Sequence, residues 1–148
     1  MKKKSIIVLC ILMASIFMWA GCGLDIINED SNEMVRTELE GTWIGNETGD
    51  ASTTWTFVFS GAIVNVTEES EEEWYTGTFS LNTSSDPKQI NLVILDCSYC
   101  ESDHETCLGI YRIEEGVLTL IANEPGNTQR PTSFTLSGDS RGWTLTQQ

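Results

Sequence analysis

Residues 54–66 read TWTFVFSGAIVNV and decide the fold. Trp55, Phe57 and Phe59 alternate with smaller or polar residues, which is the period-two pattern of a strand with one buried face. The turn Ser60-Gly61 follows, and Val64 continues the alternation on a return strand. These residues therefore predict a β-hairpin with an aromatic inner face.

The same pattern continues on both sides of this hairpin, with turn residues every 8 to 12 positions, as in an all-β sandwich or barrel. We predict about eight or nine strands in meander order, the last two around Phe134-Leu136 and Trp143-Leu145. N-terminal to all the strands, Asp30 and Glu33 have the spacing of a capping box, so a short helix is expected over Ser31 to Glu40. Residues 31–148 are the predicted globular domain.

Motifs in a fixed order accompany the strands. Leu39 to Trp43 reads LEGTW, and GTFSL (77–81), KQINL (88–92), LGIYRI (108–113) and RPTSF (130–134) follow. This order resembles a family of small bacterial lipocalin-like, calycin-type domains. The resemblance implies an up-and-down antiparallel barrel of about eight strands. It implies no catalytic residue, because the family has no settled activity.

A barrel of this size either fills its interior with side chains or holds one small ligand. The inward aromatic residues favour a filled interior, and a ligand cavity is the alternative. The candidate ligand-contact residues are Trp55, Tyr75, Tyr111 and Arg130. Arg130 is expected to stack on an aromatic ring, or alternatively to bind an anion together with Tyr111. Trp43 is expected to close the barrel floor, with its indole N–H on a backbone carbonyl.

The N-terminal segment predicts export. Lys2 to Lys4 precede an apolar run from Ile6 to Ala20, which is shorter than the roughly 20 residues of a membrane span and fits a secretory signal. Small residues directly before Cys22 resemble the lipobox of bacterial lipoproteins. We predict a signal peptide over 1–21, an acylated (palmitate-type) Cys22 and a tether over 22–30. The expected location is the cell envelope, at the outer membrane or cell surface.

The charge of the chain limits its partners. There are 22 acidic residues against 8 Lys and Arg, a net charge of −14, and without residues 1–21 it becomes −17 because three lysines are lost. Such a surface repels phosphate, so no nucleic-acid partner is expected. The expected partners are the membrane, through the lipid anchor, and a small hydrophobic ligand or an envelope protein. No enzyme is expected, since His104 is the only histidine and no hydrolase or nucleotide-binding motif occurs.

Three cysteines lie between two predicted strands, in Cys97-x₂-Cys100-x₃-His104-x₂-Cys107. Exported domains usually pair their cysteines. We predict a disulfide between Cys97 and Cys107 at facing strand ends, with Cys97–Cys100 as an alternative pairing. No cofactor is expected, but the four side chains also match a structural Cys₃His zinc site, which stays open as an alternative.

Overall fold

The computed structural model describes residues 37–70, 72–100 and 105–148. They form a closed antiparallel barrel in which each strand pairs with its sequence neighbours and β1 pairs with β8. The eight strands are β1 (Gly41–Glu47), β2 (Asp50–Ser60), β3 (Ile63–Glu68), β4 (Trp74–Asn82), β5 (Lys88–Cys97), β6 (Thr106–Glu114), β7 (Val117–Asn123) and β8 (Ser140–Gln147). The predicted all-β up-and-down barrel is confirmed. Closure leaves none of these strands with an unpaired edge.

Strand register puts the alternating apolar residues on one inner face. Trp43 of β1 lies opposite Phe57 of β2, and Phe57 lies opposite Val66 of β3. Since side chains alternate across a strand, these pairs place whole rows of apolar side chains inside the barrel. Trp43, Trp55, Phe57 and Phe59 are all at most 2% exposed.

Aromatic rings occupy much of the interior. Phe59 packs edge-on against Phe79 with ring centroids 5.0 Å apart, and Phe57 packs edge-on against Trp143 at 5.4 Å. Such T-shaped contacts are favourable because the positive ring edge meets the negative ring face. The expected filling of the barrel by aromatic side chains is therefore observed, apart from a small cavity at one end.

We call the end of the barrel that contains Leu39 and Trp43 the floor. Trp43 is buried there, and its indole N–H donates to the carbonyl oxygen of Leu39 at 2.8 Å. The predicted role of Trp43 is confirmed. Of the helix predicted over 31–40, residues 37–40 form a turn closed by a hydrogen bond from the Glu40 N–H to the Thr37 carbonyl. The rest of that predicted helix lies outside the described residues.

The strand predicted around Phe134 and Leu136 was wrong. These residues belong to the long connection between β7 and β8. The guanidinium of Arg112 lies over the Phe134 ring at 4.6 Å. The Leu136 side chain lies against Gly142, beside the buried Ile121, and both alternate with inward-facing residues. The connection therefore covers apolar surface on the outside of the barrel. Apolar residues that pack against an outer face imitate the alternation of a strand.

No helix among the described residues is long and apolar enough to cross a bilayer.

Turn chemistry accounts for the tight hairpins. In the turn between β6 and β7, Glu115 and Gly116 have φ values of 51° and 79°. Two successive positive φ angles are typical of the type I′ turn, which matches the twist of the flanking strands.

The hairpin between β1 and β2 yields a pH prediction. Hydroxyl groups of Ser52 and Thr53 donate to the Asp50 carboxylate at 2.6 and 2.8 Å. Hydrogen bonds to the charged form favour it, so the pKa of Asp50 falls from 3.8 to about 2. Its contribution to stability is therefore complete above about pH 4 and is lost as the pH falls through 2.

We expect the Asp50 carboxyl to titrate near pH 2 in an NMR pH series. In a chain with both Ser52→Ala and Thr53→Val, the midpoint should return towards 3.8, because the two hydroxyl donors are gone. An unchanged midpoint in that double variant would show that these hydrogen bonds do not hold the carboxylate.

Candidate functional site

The candidate site lies at the mouth, the end of the barrel opposite the floor. Here β1, β3, β5 and β7 end, and β2, β4, β6 and β8 begin. Hairpin order alternates strand direction, so the residues that end one strand lie beside those that begin the next. Glu47 of β1 is thereby opposite Trp143 of β8, and Tyr75 of β4 is opposite Cys97 of β5.

A partly enclosed cavity of about 60 Å³ lies between the aromatic core and the mouth. Its walls are largely apolar, with Phe57, Val64, Val66, Leu92 and Ile94 among the lining residues. Typical pockets for drug-sized ligands have about 300–1,000 Å³, so this cavity admits a slender group only. It is nevertheless larger than the roughly 10–15 Å³ that one water requires.

Arg141 organises the polar side of the mouth. Its guanidinium donates to both carboxylate oxygens of Glu47, at 2.9 and 2.7 Å, and to Glu73. The side chain of Arg141 is 23% exposed. A fork-shaped pairing of this kind gives stronger and more directional bonds than a lone surface ion pair. Arg141 thus links Glu47, at the end of β1, to Glu73, in the connection between β3 and β4.

The same guanidinium covers two indole rings, lying 4.9 Å from the Trp55 ring centroid and 5.3 Å from that of Trp143. Arg stacks well on aromatic faces because its planar cation is weakly hydrated. The hydrogen bonds with Glu47 and Glu73 raise the pKa of Arg141 further above its usual value. The cation is therefore permanent, and it forms the polar lid above the aromatic core.

Tyr75 connects this lid to the cavity wall. Its hydroxyl donates to the Glu73 carboxylate, and its ring lines the cavity. Burial and then the negative charge and hydrogen bond of Glu73 raise the pKa of the Tyr75 hydroxyl. Tyr75 stays neutral and acts as a hydrogen-bond donor at any ordinary pH.

Two buried indole N–H groups, those of Trp55 and Trp143, have no hydrogen-bond partner among the described residues. A buried donor without an acceptor lowers the stability of the fold by about 1–3 kcal/mol, so such groups are uncommon in folded proteins. Trp143 is 8% exposed and lines the cavity. Its ring therefore adds apolar surface to the cavity, whereas its N–H is enclosed by the protein.

The four candidate ligand-contact residues do not form one site. Tyr75 lines the cavity, and Trp55 lies beneath Arg141. Tyr111 lies at the floor, where its hydroxyl donates to Glu38, which also pairs with Lys88 at 2.6 Å. Of these four residues, only Trp55 and Tyr75 lie at the mouth and belong to the candidate site.

Arg130 is placed differently from either expectation. Its guanidinium donates to the carbonyl oxygens of Ile90 and Gly109 and to the Asn91 side chain, and it fixes the β7–β8 connection to β5 and β6. No ring contact of Arg130 occurs among the described residues. It also shares no partner with Tyr111, so the structure does not bring the two together for an anion.

Sequence reasoning missed Arg141, Glu47 and Glu73 as members of the site. Arg141 is one of few cations in a very acidic chain, and it is two residues from the apolar Trp143. The position of this cation beside apolar residues could have indicated the site, because a cation within an apolar pattern usually has carboxylate partners. Which of the 22 acids are those partners follows only from the register of the strands.

The structure corrects the predicted disulfide. Cys97 is bonded to Cys100, with Cα atoms 5.3 Å apart, and Cys107 is a free, buried thiol. The reason is register: Cys107 lies opposite Leu92, five residues before Cys97, whereas Cys97 lies opposite Tyr75. Five residues along a strand correspond to roughly 16 Å, too far for a bond between Cys97 and Cys107.

The Cys97–Cys100 disulfide also removes two of the four ligands of the alternative zinc site. Bridged cysteines supply no thiolates, so Cys97 and Cys100 do not ligate a metal in this state. His104 lies outside the described residues. Among those that are described, no group of three or more His, Cys, Asp or Glu side chains has the arrangement of a metal site.

Cys107 yields a chemical prediction. Burial, and then the charges of Glu124 and Glu105, raise the pKa of its thiol to about 12. Because only the thiolate reacts, alkylation of Cys107 in the folded protein should be at least about 100-fold slower than in denaturant. After alkylation in denaturant without reductant, peptide mapping by mass spectrometry should find the reagent on Cys107 and a bond between Cys97 and Cys100. Reagent on Cys100 instead would contradict the observed pairing.

Comparisons with known protein families, with curated proteins and with solved structures found no match for the chain.

Proposed function

We propose that the protein is an exported bacterial lipoprotein, held in the cell envelope by acyl chains on Cys22, whose barrel binds a small, mainly apolar ligand at its mouth. The observation that carries the binding role is the apolar, partly enclosed cavity beside Arg141 and Trp143. The closed eight-stranded barrel supports the same role, because a barrel of this size can hold one small ligand in its interior. The ligand inserts a slender group into the cavity and leaves its remainder outside.

The proposed anchor explains how a strongly acidic domain stays at a membrane. A charge of this sign is repelled by anionic headgroups, so the domain has no electrostatic attraction to such a surface. Each buried CH₂ of an acyl chain contributes about 0.8 kcal/mol, and two or more chains hold a protein stably. The lipid on Cys22 accordingly supplies the attachment that the barrel lacks.

Fractionation tests the anchor. The natural chain should sediment with membranes, and a Cys22→Ser chain should move to the soluble or periplasmic fraction. A Ser98→Ala chain is the control and should fractionate as the natural chain does. Membrane association that persists in Cys22→Ser would contradict anchoring through this residue.

Titration with decanol tests the ligand role, because this neutral alkyl chain probes the cavity without any charge. Insertion beside Trp143 should change the intrinsic tryptophan fluorescence in a saturable way. Ala122 lines the cavity, so Ala122→Leu should fill it and weaken decanol binding at least about tenfold. The same substitution at the exposed Ala62 is the matched control and should bind normally. Equal binding by both variants would place the ligand elsewhere.

A second role, as a docking module for an envelope protein, is favoured by one observation. Tyr99 lies between the bonded Cys97 and Cys100 and is 74% exposed. Its neighbour Ser98 is fixed to the backbone of Trp74 by two hydrogen bonds. Exposed tyrosines held by rigid loops are frequent binding hot spots. A photo-crosslinker at position 99 should capture one discrete envelope protein in cells, and absence of any adduct would contradict docking at this loop.

A further inference from the structure

Resting on the proposed binding role, we infer that the mouth selects a cationic amphiphile: a ligand with a slender alkyl chain and a positively charged head. Two separate features of the mouth lead to this ligand class. They are the apolar cavity and the charge around the rim, in particular that of Glu124.

The rim is strongly acidic. Glu47, Glu68, Glu73, Asp96, Glu105 and Glu124 all lie at strand ends or connections of the mouth. Arg141 is the only cationic residue among the described residues that line the cavity, and Glu47 and Glu73 together already neutralise it. The field at the entrance is therefore negative, and it attracts cations and repels carboxylates.

Glu124 is the acid placed to meet a charged head. It lines the cavity, its side chain is exposed, and it forms no ion pair within the described part of the chain. Its charge acts on both the Tyr75 hydroxyl and the Cys107 thiol, two groups of the cavity wall. A cation that follows an alkyl chain out of the cavity thus passes beside the Glu124 carboxylate.

The test compares three probes with the same ten-carbon chain on the full-length protein: decanoylcholine, decyltrimethylammonium and decanoate. By calorimetry at low salt and below micelle formation, decanoylcholine should bind at least about tenfold more tightly than decanoate. Decyltrimethylammonium should also bind more tightly than decanoate, because it carries the same positive charge as decanoylcholine. The advantage over decanoate should shrink at high salt, since exposed charges are screened.

A pair of charge-matched variants locates the selectivity. Glu124→Gln should reduce the preference for decanoylcholine over decanoate by at least about threefold. Glu115→Gln removes the same charge at the exposed β6–β7 turn, far from the mouth, and should keep the preference. An equal effect of both variants would mean that net charge alone, and not Glu124, sets the selectivity, and would overturn the inference.

The outcomes separate this inference from the proposed function. If decanol and all three charged probes bind equally, the mouth takes apolar chains but does not select a cation, and only the inference fails. If decanoate binds most tightly, the inference is likewise overturned. If none of the probes binds, the proposed ligand role fails as well.

Discussion

Replacing Gly45 by alanine is expected to destabilise the protein by at least about 3 kcal/mol, and in a marginally stable domain to prevent folding. A Cβ at Gly45 would lie 2.0 Å from the carbonyl oxygen of Thr144 and 2.9 Å from the Cα of Leu145. Both atoms belong to the backbone of β8, so no side-chain rotation relieves the overlap. The pairing of β1 with β8, which closes the barrel, has to open.

Chemical denaturation of Gly45→Ala, followed by circular dichroism, measures this loss. Thr144→Val is the control, because Thr144 is exposed beside the same contact and valine keeps its branched shape. It should stay within about 0.5 kcal/mol of the natural chain. A Gly45→Ala protein of natural stability would show that β1 and β8 do not approach as closely as described.

The second large effect concerns Arg141. We expect Arg141→Gln to cost about 2 kcal/mol, since it leaves Glu47 and Glu73 facing each other at a largely buried place without their cation. This figure is below the roughly 3–5 kcal/mol of a fully buried pair, because water still reaches part of the cluster. The substitution also uncovers the faces of Trp55 and Trp143.

A rescue experiment separates charge from packing. Adding Glu47→Gln and Glu73→Gln to Arg141→Gln should recover about half of the lost free energy of unfolding, because the uncompensated charges disappear. Arg112→Gln serves as the control; its ion pair with Glu114 is long, at 3.5 Å, and exposed, so the loss should be under about 1 kcal/mol. No recovery in the triple variant would assign the whole effect to lost stacking on the indoles.

The meander of strands could be predicted because its determinants are local, whereas the choice of a barrel over a sandwich came from the resemblance of the motifs to lipocalin-like domains. Alternation at Trp55, Phe57 and Phe59 specifies one inner face, and closely spaced turns force neighbouring strands to pair. The same logic predicted that Trp43 closes the floor, where an indole N–H needs a nearby carbonyl. The strand wrongly predicted at Phe134 shows where this approach fails. Alternating apolar residues indicate that one side of a segment is buried. They do not indicate whether that side packs inside the barrel or against its outer face.

The site was harder to predict because it depends on register between distant strands. Cys97 and Cys107 both lie near strand ends in the sequence, yet β5 runs several residues past the point where β6 begins. Arg141 meets Glu47 and Glu73 only because β8 closes onto β1 and the β3–β4 connection reaches the same rim. No local pattern contains that information.

Native mass spectrometry of the full-length protein, extracted gently from the membranes of its producing cells, tests the central claim most directly. One spectrum reports the modification of Cys22, the state of the three loop cysteines and any bound molecule. The account predicts a chain that begins at an acylated Cys22, carries one disulfide and holds one small amphiphile, which is lost in Ala122→Leu. A ligand-free chain that retains residues 1–21 and carries no acyl group would contradict it.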